Sequence, residues 1–170
     1  MKAGTDPIPA LAFKGITKRF GKLVANDSVS FEVEPGEVLA LLGENGAGKT
    51  TLMNILFGHY QADEGVIDVG GEPLTPGSTE AALASGIGMV HQHFVLADNL
   101  TVFENIILGT ESLWSWRHDG AGARRKLIEL SERFGLVVDP DVPVAALSVG
   151  ERQRVEILKA LYRDSRILIL

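Results

Sequence analysis

Residues 43–51 read GENGAGKTT, and this stretch decides the fold. Gly43, four intervening residues, Gly48, Lys49 and Thr50 match the pattern of a phosphate-binding loop. Glycines let successive backbone N–H groups turn inward around phosphate oxygens, and a helix that begins here points its positive end at the anion. Lys49 would add a positive charge at the β- and γ-phosphates, and the Thr50 hydroxyl is a hard oxygen ligand suited to Mg²⁺. The stretch therefore predicts a site for a nucleoside triphosphate and Mg²⁺.

The residues on either side of this loop fit a strand–loop–helix unit. EVLALLG (37–43) is a continuous apolar run, which predicts a strand buried on both faces. TTLMNILFG (50–58) predicts a short helix that ends at Gly58. A glycine-rich turn that matched the pattern by chance would lack this context, so we interpret the loop as a P-loop.

Hydrophobic periodicity predicts the remaining elements. DSVSFEVE (27–34) alternates, with Val29, Phe31 and Val33 on one face, which predicts a half-buried antiparallel strand. Thr101–Glu104 has the spacing of a capping box at the start of a helix. The other predicted strands are LAFKGITKRF (11–20), GVIDVGG (65–71), IGMVHQ (87–92) and RILIL (166–170); the other predicted helices are STEAALASG (78–86), RRKLIELSERFG (124–135) and residues 148–163; GTESLWSWRHDGAGA (109–123) is predicted to be a surface loop.

Composition limits the kinds of partner. The chain has 170 residues and a formal net charge of −6, which argues against a general nucleic-acid binder. It has no cysteine, so disulfides and cysteine zinc sites are excluded. His91 and His93 flank Gln92 on a predicted strand and could both reach one ion, but a third ligand is not evident, so a metal site there is the less favoured interpretation. No apolar run approaches the roughly 20 residues that cross a bilayer.

A second motif, LSVGERQR (147–154), narrows the class of nucleotide-binding protein. Together with GENGAGKTT it resembles the ATP-binding cassette (ABC) family, whose signature reads Leu-Ser-Gly-Gly-Gln shortly before the Walker B strand. Ser148 and Gly150 match that signature, whereas Val149 and Glu151 depart from it. The resemblance implies that these four residues act on the nucleotide of an opposite cassette, with Ser148 and Gly150 contacting its γ-phosphate. Ser148 and Glu151 also have capping-box spacing, so a purely local helix cap is the alternative.

The resemblance also assigns roles outside the signature. Gln92 is similar to the family glutamine that contacts Mg²⁺ and the attacking water, with Thr50 as the other protein ligand of the metal. Phe20 is similar to the aromatic residue that stacks on adenine. A single Phe or Gln seen without this context would be assigned to the core or the surface. The remaining residues implied to bind ATP are Gly43, Glu44, Asn45, Gly46, Ala47, Gly48, Lys49, Thr50 and Thr51.

Residues 88–109 and 147–170 look like the first cassette of tandem-cassette bacterial importers for simple sugars and nucleosides. This resemblance implies an ATP-hydrolysing subunit at the cytoplasmic face of the inner membrane that powers uptake through integral-membrane permease subunits. The implied partners are a second cassette, in the same chain or as a homodimer, and indirectly a solute-binding protein, with no nucleic acid. A non-transport ABC ATPase and a nucleotide-dependent regulatory module are the alternatives.

The fold implied is an α/β P-loop NTPase core with an N-terminal antiparallel β subdomain and an inserted α-helical subdomain. Residues 8–95 are expected to form the core with its β part, residues 96–163 the helical subdomain with the signature, and residues 166–170 the Walker B strand. We expect the Walker B aspartate and the catalytic glutamate to lie beyond Leu170. Residues 1–170 alone are therefore expected to be an incomplete cassette without ATPase activity.

Overall fold

The computed structural model describes residues 8–90, 95–108 and 113–170. The chain forms two compact units, Met1–Ile87 and Gly88–Leu170. The strands are β1 (Leu11–Phe20), β2 (Leu23–Val33), β3 (Glu64–Val69), β4 (Glu72–Pro73), β5 (Ile87–Met89) and β6 (Ile167–Ile169). The helices are α1 (Lys49–Leu56), α2 (Thr79–Ala84), α3 (Val102–Ile107), α4 (Leu113–Phe134) and α5 (Val149–Tyr162), with a short 3₁₀ turn at Val144–Ala146.

The first unit contains a four-stranded antiparallel sheet in the order β2-β1-β3-β4. In β1, Phe13 lies opposite Phe31 of β2 and Ile67 of β3, and the two phenylalanine rings stack with centroids 4.5 Å apart. Along β2, Val29, Phe31 and Val33 are half-buried, while Ser30 and Glu32 between them are exposed. The antiparallel pairing and the alternation predicted from the sequence are therefore confirmed.

The prediction of a strand at residues 37–43 is wrong. These residues form no strand, and neither sheet of the described residues contains them. Val38 and Leu42 are 95% and 90% exposed. A continuous apolar run becomes a buried strand only where neighbouring strands satisfy its backbone and cover its faces, and the described residues supply no such neighbours.

Helix α1 follows the loop and packs one face against the core of the first unit. Leu52, Ile55 and Leu56 lie on its buried face. The helix stops where predicted, because Gly58 takes a left-handed φ of 82° and a side chain there would collide with the carbonyl of Ser78. Packing on one face and a glycine stop therefore fix both the direction and the length of α1.

The second unit has a helical core. Helices α3 and α5 each begin with a complete capping box, as predicted, at Thr101 with Glu104 and at Ser148 with Glu151. Their apolar faces pack together with that of α4. The buried cluster consists of Val102, Phe103, Ile106, Ile107, Ala123, Leu127, Val144, Val155, Leu158 and Tyr162.

The prediction of a surface loop over residues 109–123 is wrong from Leu113 onward, because α4 begins there. Residues 109–112 lie outside the described residues. Gly120 and Gly122 lower helix propensity by about 1 kcal/mol each relative to alanine, but neither removes a backbone donor as proline would. The helix continues into a segment anchored by Ala123 and Leu127, both buried in the cluster. Tertiary packing therefore overrides the weak local signal.

Strands β5 and β6 pair in a separate two-stranded sheet. The Val90 N–H extends this pairing by donating to the Ile169 carbonyl at 2.9 Å. Of the strand predicted at 87–92, residues 87–89 are a strand, and residues 91 and 92 lie outside the described residues. The strand predicted at 166–170 is present over Ile167–Ile169. Among the described residues, no helix combines the length and the hydropathy needed to span a membrane.

Candidate functional site

The phosphate-binding loop is exposed and organised around Lys49. Residues 43–47 are exposed, and Gly46 adopts a left-handed φ of 87°. The Lys49 ammonium donates to the carbonyls of Gly43 and Glu44 at 2.6 and 2.8 Å. These two bonds hold the cation inside the loop, where phosphate oxygens could replace the carbonyls as acceptors.

Gly48 is the residue on which the loop turns into α1. It has a φ of 82°, and a Cβ atom built on it would lie 2.1 Å from the Ala25 carbonyl oxygen. The strand β2 therefore passes so close that only glycine fits. No side chain caps α1, and its first turn contains no acidic residue. The positive end of the helix is thus left available for an anion such as a phosphate group.

The second predicted nucleotide contact, Phe20, is the last residue of β1. Its ring is 44% exposed and packs edge-to-face on Tyr60, with centroids 5.6 Å apart. The Lys18 ammonium lies 5.5 Å from the same ring centroid. Leu23 and Val24, which follow the turn, are also exposed. The end of the β1–β2 hairpin therefore presents an apolar surface suited to stacking of a base.

The predicted metal ligands are only partly described. The Thr50 side chain is exposed at the start of α1 and offers one hard oxygen of the kind that Mg²⁺ prefers. Gln92, together with His91 and His93, lies outside the described residues. Among the described residues there is no group of three or more His, Cys, Asp or Glu that could hold a metal.

The signature residues lie at the exposed start of α5 in the second unit. Ser148, Val149 and Gly150 are all exposed. The Ser148 hydroxyl and backbone N–H donate to the Glu151 carboxylate at 2.6 and 2.8 Å, and the Glu151 N–H donates weakly back at 3.4 Å. The bonds from the Ser148 hydroxyl and then its N–H hold the pKa of Glu151 below its ordinary value of 4.5. In this chain the Ser148 side chain is therefore hydrogen-bonded within the N-terminal cap of its own helix.

Sequence reasoning missed two residues that contact the candidate site. Asn26 of β2 donates from Nδ2 to the Gly48 carbonyl at 3.2 Å, and Tyr60 packs on the Phe20 ring. Both act across long sequence separations, so no local motif marks them. The one available signal was an asparagine inside a strand-forming stretch, where polar amides are disfavoured.

These features define a nucleotide-binding cassette: a glycine loop with an enclosed lysine, an uncapped helix start and an aromatic hairpin end. The sequence pattern of the ABC transporter family matches residues 26–170. This chain belongs to the ABC transporter family.

Three curated relatives show which members of the family the chain is similar to. It is 55% identical to the nucleoside import ATP-binding protein NupA of Lactococcus lactis, covering 91% of this chain and 30% of the relative. It is 52% identical over the same shares to the guanosine import ATP-binding protein NupO of Bacillus subtilis. It is 47% identical to the ribose import ATP-binding protein RbsA 1 of Burkholderia thailandensis, covering 94% of this chain and 32% of that protein. The chain thus spans about a third of these relatives' length.

Solved structures agree on the fold. The ADP conformation of an ATP-binding cassette of an ABC transporter superposes with a TM-score of 0.82 at 28% identity, covering 94% of this chain and 67% of that one. A nucleotide-free ATP-binding cassette gives a TM-score of 0.80 at 29% identity. The predicted fold class, a P-loop cassette with an antiparallel β part, is confirmed.

Proposed function

We propose that this chain is the nucleotide-binding part of an ABC importer ATPase, which hydrolyses ATP to ADP and phosphate to drive solute uptake through a membrane permease. The observation that carries this proposal is the exposed loop that encloses the Lys49 ammonium at the uncapped start of α1. The similarity to import ATP-binding proteins over nine-tenths of the chain supports the transport role.

The described residues suggest how a nucleotide would be held. Lys49 would exchange the carbonyls of Gly43 and Glu44 for phosphate oxygens, and the backbone N–H groups of the loop would donate to the same anion. The Phe20 ring would stack on the base, with Tyr60 packed against its edge. Mg²⁺, when bound through Thr50 and Gln92, would offset negative charge on the phosphates. The proposed role of Gln92 also includes orienting the attacking water.

The exposed signature supports a role toward a second cassette. Ser148, Val149 and Gly150 are accessible, so a phosphate held by a partner cassette could approach the start of α5. The Ser148 hydroxyl would then have to turn from the Glu151 carboxylate to that phosphate. Partners in this proposal are a second cassette, permease subunits at the cytoplasmic face of the membrane and, through them, a solute-binding protein.

A nucleoside is the substrate class that the comparisons favour. The two relatives named for nucleoside or guanosine import are 55% and 52% identical to this chain, against 47% for the ribose import protein. Substrate choice belongs to the whole transporter, and the chain spans about a third of these relatives. We therefore assign nucleoside import to the whole transporter, with simple sugars as the second class.

The test is a Lys49→Ala substitution in the full-length protein. Loss of charge-assisted hydrogen bonds to phosphate should weaken Mg-ATP binding by about tenfold to a hundredfold. Calorimetry would measure the affinity, and uptake of labelled guanosine and ribose by the reconstituted transporter would measure function. We expect ATP-dependent guanosine uptake in the wild type and none in the variant.

Lys14→Ala is the matched control, because Lys14 is an exposed lysine whose partner is Asp68 on the neighbouring strand. An exposed ion pair contributes little to stability, so this variant should bind ATP normally. Equal ATP affinity in the wild type and Lys49→Ala would refute the nucleotide site. ATP-dependent uptake of ribose but not guanosine would refute the substrate assignment alone.

A further inference from the structure

Asn26 is a buried polar residue on a strand whose neighbouring side chains are more exposed. Its side chain is 6% exposed, and its Nδ2 donates to the Gly48 carbonyl at 3.2 Å. The same carbonyl accepts the Leu52 N–H at 2.9 Å, so Asn26 contacts the first turn of α1 where the phosphate-binding loop ends. Reversing the amide would put Oδ1 against the Gly48 oxygen, so the Gly48 contact fixes its orientation.

The other end of the Asn26 amide has no partner in the part of the chain that the structure describes. Its Oδ1 atom is buried and accepts no hydrogen bond from the described residues. An unpartnered buried acceptor destabilises the fold, and an apolar side chain at this strand position would avoid that cost. The amide is therefore not optimal for the stability of the sheet, and the contact with Gly48 is the contribution that an apolar residue could not make.

The contact joins two parts of the candidate nucleotide site. Asn26 pairs with Lys18 across the β1–β2 hairpin, and Phe20 pairs with Leu23 at the end of the same hairpin. The preceding carbonyl, that of Ala25, is the atom that a Gly48 side chain would strike. The hairpin that carries the Phe20 ring is thus packed directly on the end of the loop that encloses Lys49.

We propose that Asn26 is a positioning residue that fixes the register of the β1–β2 hairpin against the phosphate-binding loop, so that one nucleotide can engage the Phe20 ring and the loop together. This inference rests on the proposed function. It assigns Asn26 to the joint binding of base and phosphates, and not to binding of the phosphates alone.

The test is Asn26→Leu in the full-length protein, with affinities measured for Mg-ATP and for magnesium tripolyphosphate, which has no base. If the hairpin loses its register, the contribution of base stacking is lost, and ATP affinity should fall about tenfold. Tripolyphosphate affinity should stay within about twofold of wild type, because its contacts are confined to the loop. The melting temperature of the variant should be equal to or above that of the wild type.

Thr17→Val is the matched control. Thr17 is also a buried polar residue of the hairpin, and its hydroxyl accepts the Ser28 N–H away from the loop. This variant should leave the ratio of ATP to tripolyphosphate affinity unchanged. Asn26→Ser, which is too short to span the distance to Gly48, repeats the test should the leucine variant fold poorly.

Equal losses of affinity for ATP and tripolyphosphate would overturn the proposal, because Asn26 would then shape the loop alone. Unchanged affinity for both would overturn it as well. Failure of the wild-type protein to bind ATP is a different result, since it would refute the proposed function before any variant is compared.

Discussion

Ser148 and Glu151 form reciprocal hydrogen bonds at the start of α5, and single substitutions can test what each bond does. The hydroxyl and N–H of Ser148 both donate to one carboxylate oxygen of Glu151. Hydrogen bonds to a charged carboxylate favour the ionised form, which is why the pKa of Glu151 lies below 4.5. The ionised Glu151 carboxylate therefore stabilises the start of α5 above pH 4.5, and this stabilisation is lost as the pH falls through the lowered pKa.

We predict that Ser148→Ala raises the pKa of Glu151 toward its ordinary value, because the hydroxyl is the largest cause of the shift. A carboxyl NMR titration of the side chain measures the change. Thr101→Ala is the control, since it removes the same kind of bond from the capping box of α3. A Glu151 titration that is the same in Ser148→Ala and in wild type would contradict the structure.

At the level of single residues, the sequence predicts what is contiguous and misses what the fold brings together. Gly43 to Thr51 can be identified because the chemistry of a phosphate requires those residues in an unbroken run. Asn26 lies 22 positions before Gly48, and only the register of β1 and β2 places it against that residue. Tyr60 is missed for the same reason. The roles of Gln92 and of the signature residues remain predictions.

Among the elements of the second unit, the segment that follows residue 94 is held by helix side chains as well as by backbone hydrogen bonds. Asn105 is fully buried in α3; its Oδ1 accepts the Ala97 N–H at 2.7 Å. Its Nδ2 lies within hydrogen-bonding distance of the carbonyls of Ala97, Leu100 and Thr101. On α5, Glu156 accepts the Val95 N–H at 2.7 Å. Helix side chains thus add to the backbone bonds that Asp98 and Leu100 accept from Ala145 and Val144.

We predict that Asn105→Ala lowers the free energy of unfolding by about 1–3 kcal/mol, because it removes the acceptor of the Ala97 N–H and truncates a fully buried side chain. Urea denaturation of the full-length protein measures the loss. Asn54→Ala is the control: Asn54 lies on α1, and its side chain bonds to His59 at the surface. That variant should change stability by no more than about 0.5 kcal/mol. Equal effects of the two substitutions would show that Asn105 does not brace this segment.

Elements with a strong local signal are predicted well, and those that depend on neighbours are not. The alternation of β2 and the capping boxes of α3 and α5 are encoded within a few residues, so sequence reasoning finds them. Residues 37–43 have the composition of a buried strand, yet a strand exists only where partners pair with it. At the start of α4 the error is the opposite one, because a loop was predicted where a helix forms. Helix packing extends α4 through glycines that suggested a loop.

At the scale of the whole molecule, the exposed apolar segment around Val38 and Leu42 matters because other chains can contact it. Both side chains are at least 90% exposed, and Leu39 and Leu41 beside them are 44% and 37% exposed. A run of five exposed apolar residues, Val38 to Leu42, without strand partners offers both hydrophobic area and unpaired backbone to another chain. Self-association of a protein comprising residues 1–170 is the expected consequence.

We predict that the double substitution Val38→Thr and Leu42→Thr in residues 1–170 reduces this self-association. Threonine is compatible with an extended backbone but removes most of the hydrophobic area. Light scattering and size-exclusion chromatography over a concentration series measure the effect. Val137→Thr with Leu108→Thr is the control, because those two side chains are also exposed but lie outside the run at residues 38–42. A monodisperse 1–170 protein before any substitution would contradict the prediction, as would equal improvement by both pairs.

The same segment is bracketed by negative charge. Glu37 precedes Val38, and Glu44 follows the end of the run. If copies stacked in register as in a fibril, each Glu37 would sit about 4.8 Å from its equivalent in the next copy, and so would each Glu44. Such ladders of like charge act as gatekeepers against ordered cross-β assembly. The contacts that Val38 and Leu42 invite are therefore steered toward irregular association and away from ordered fibrils.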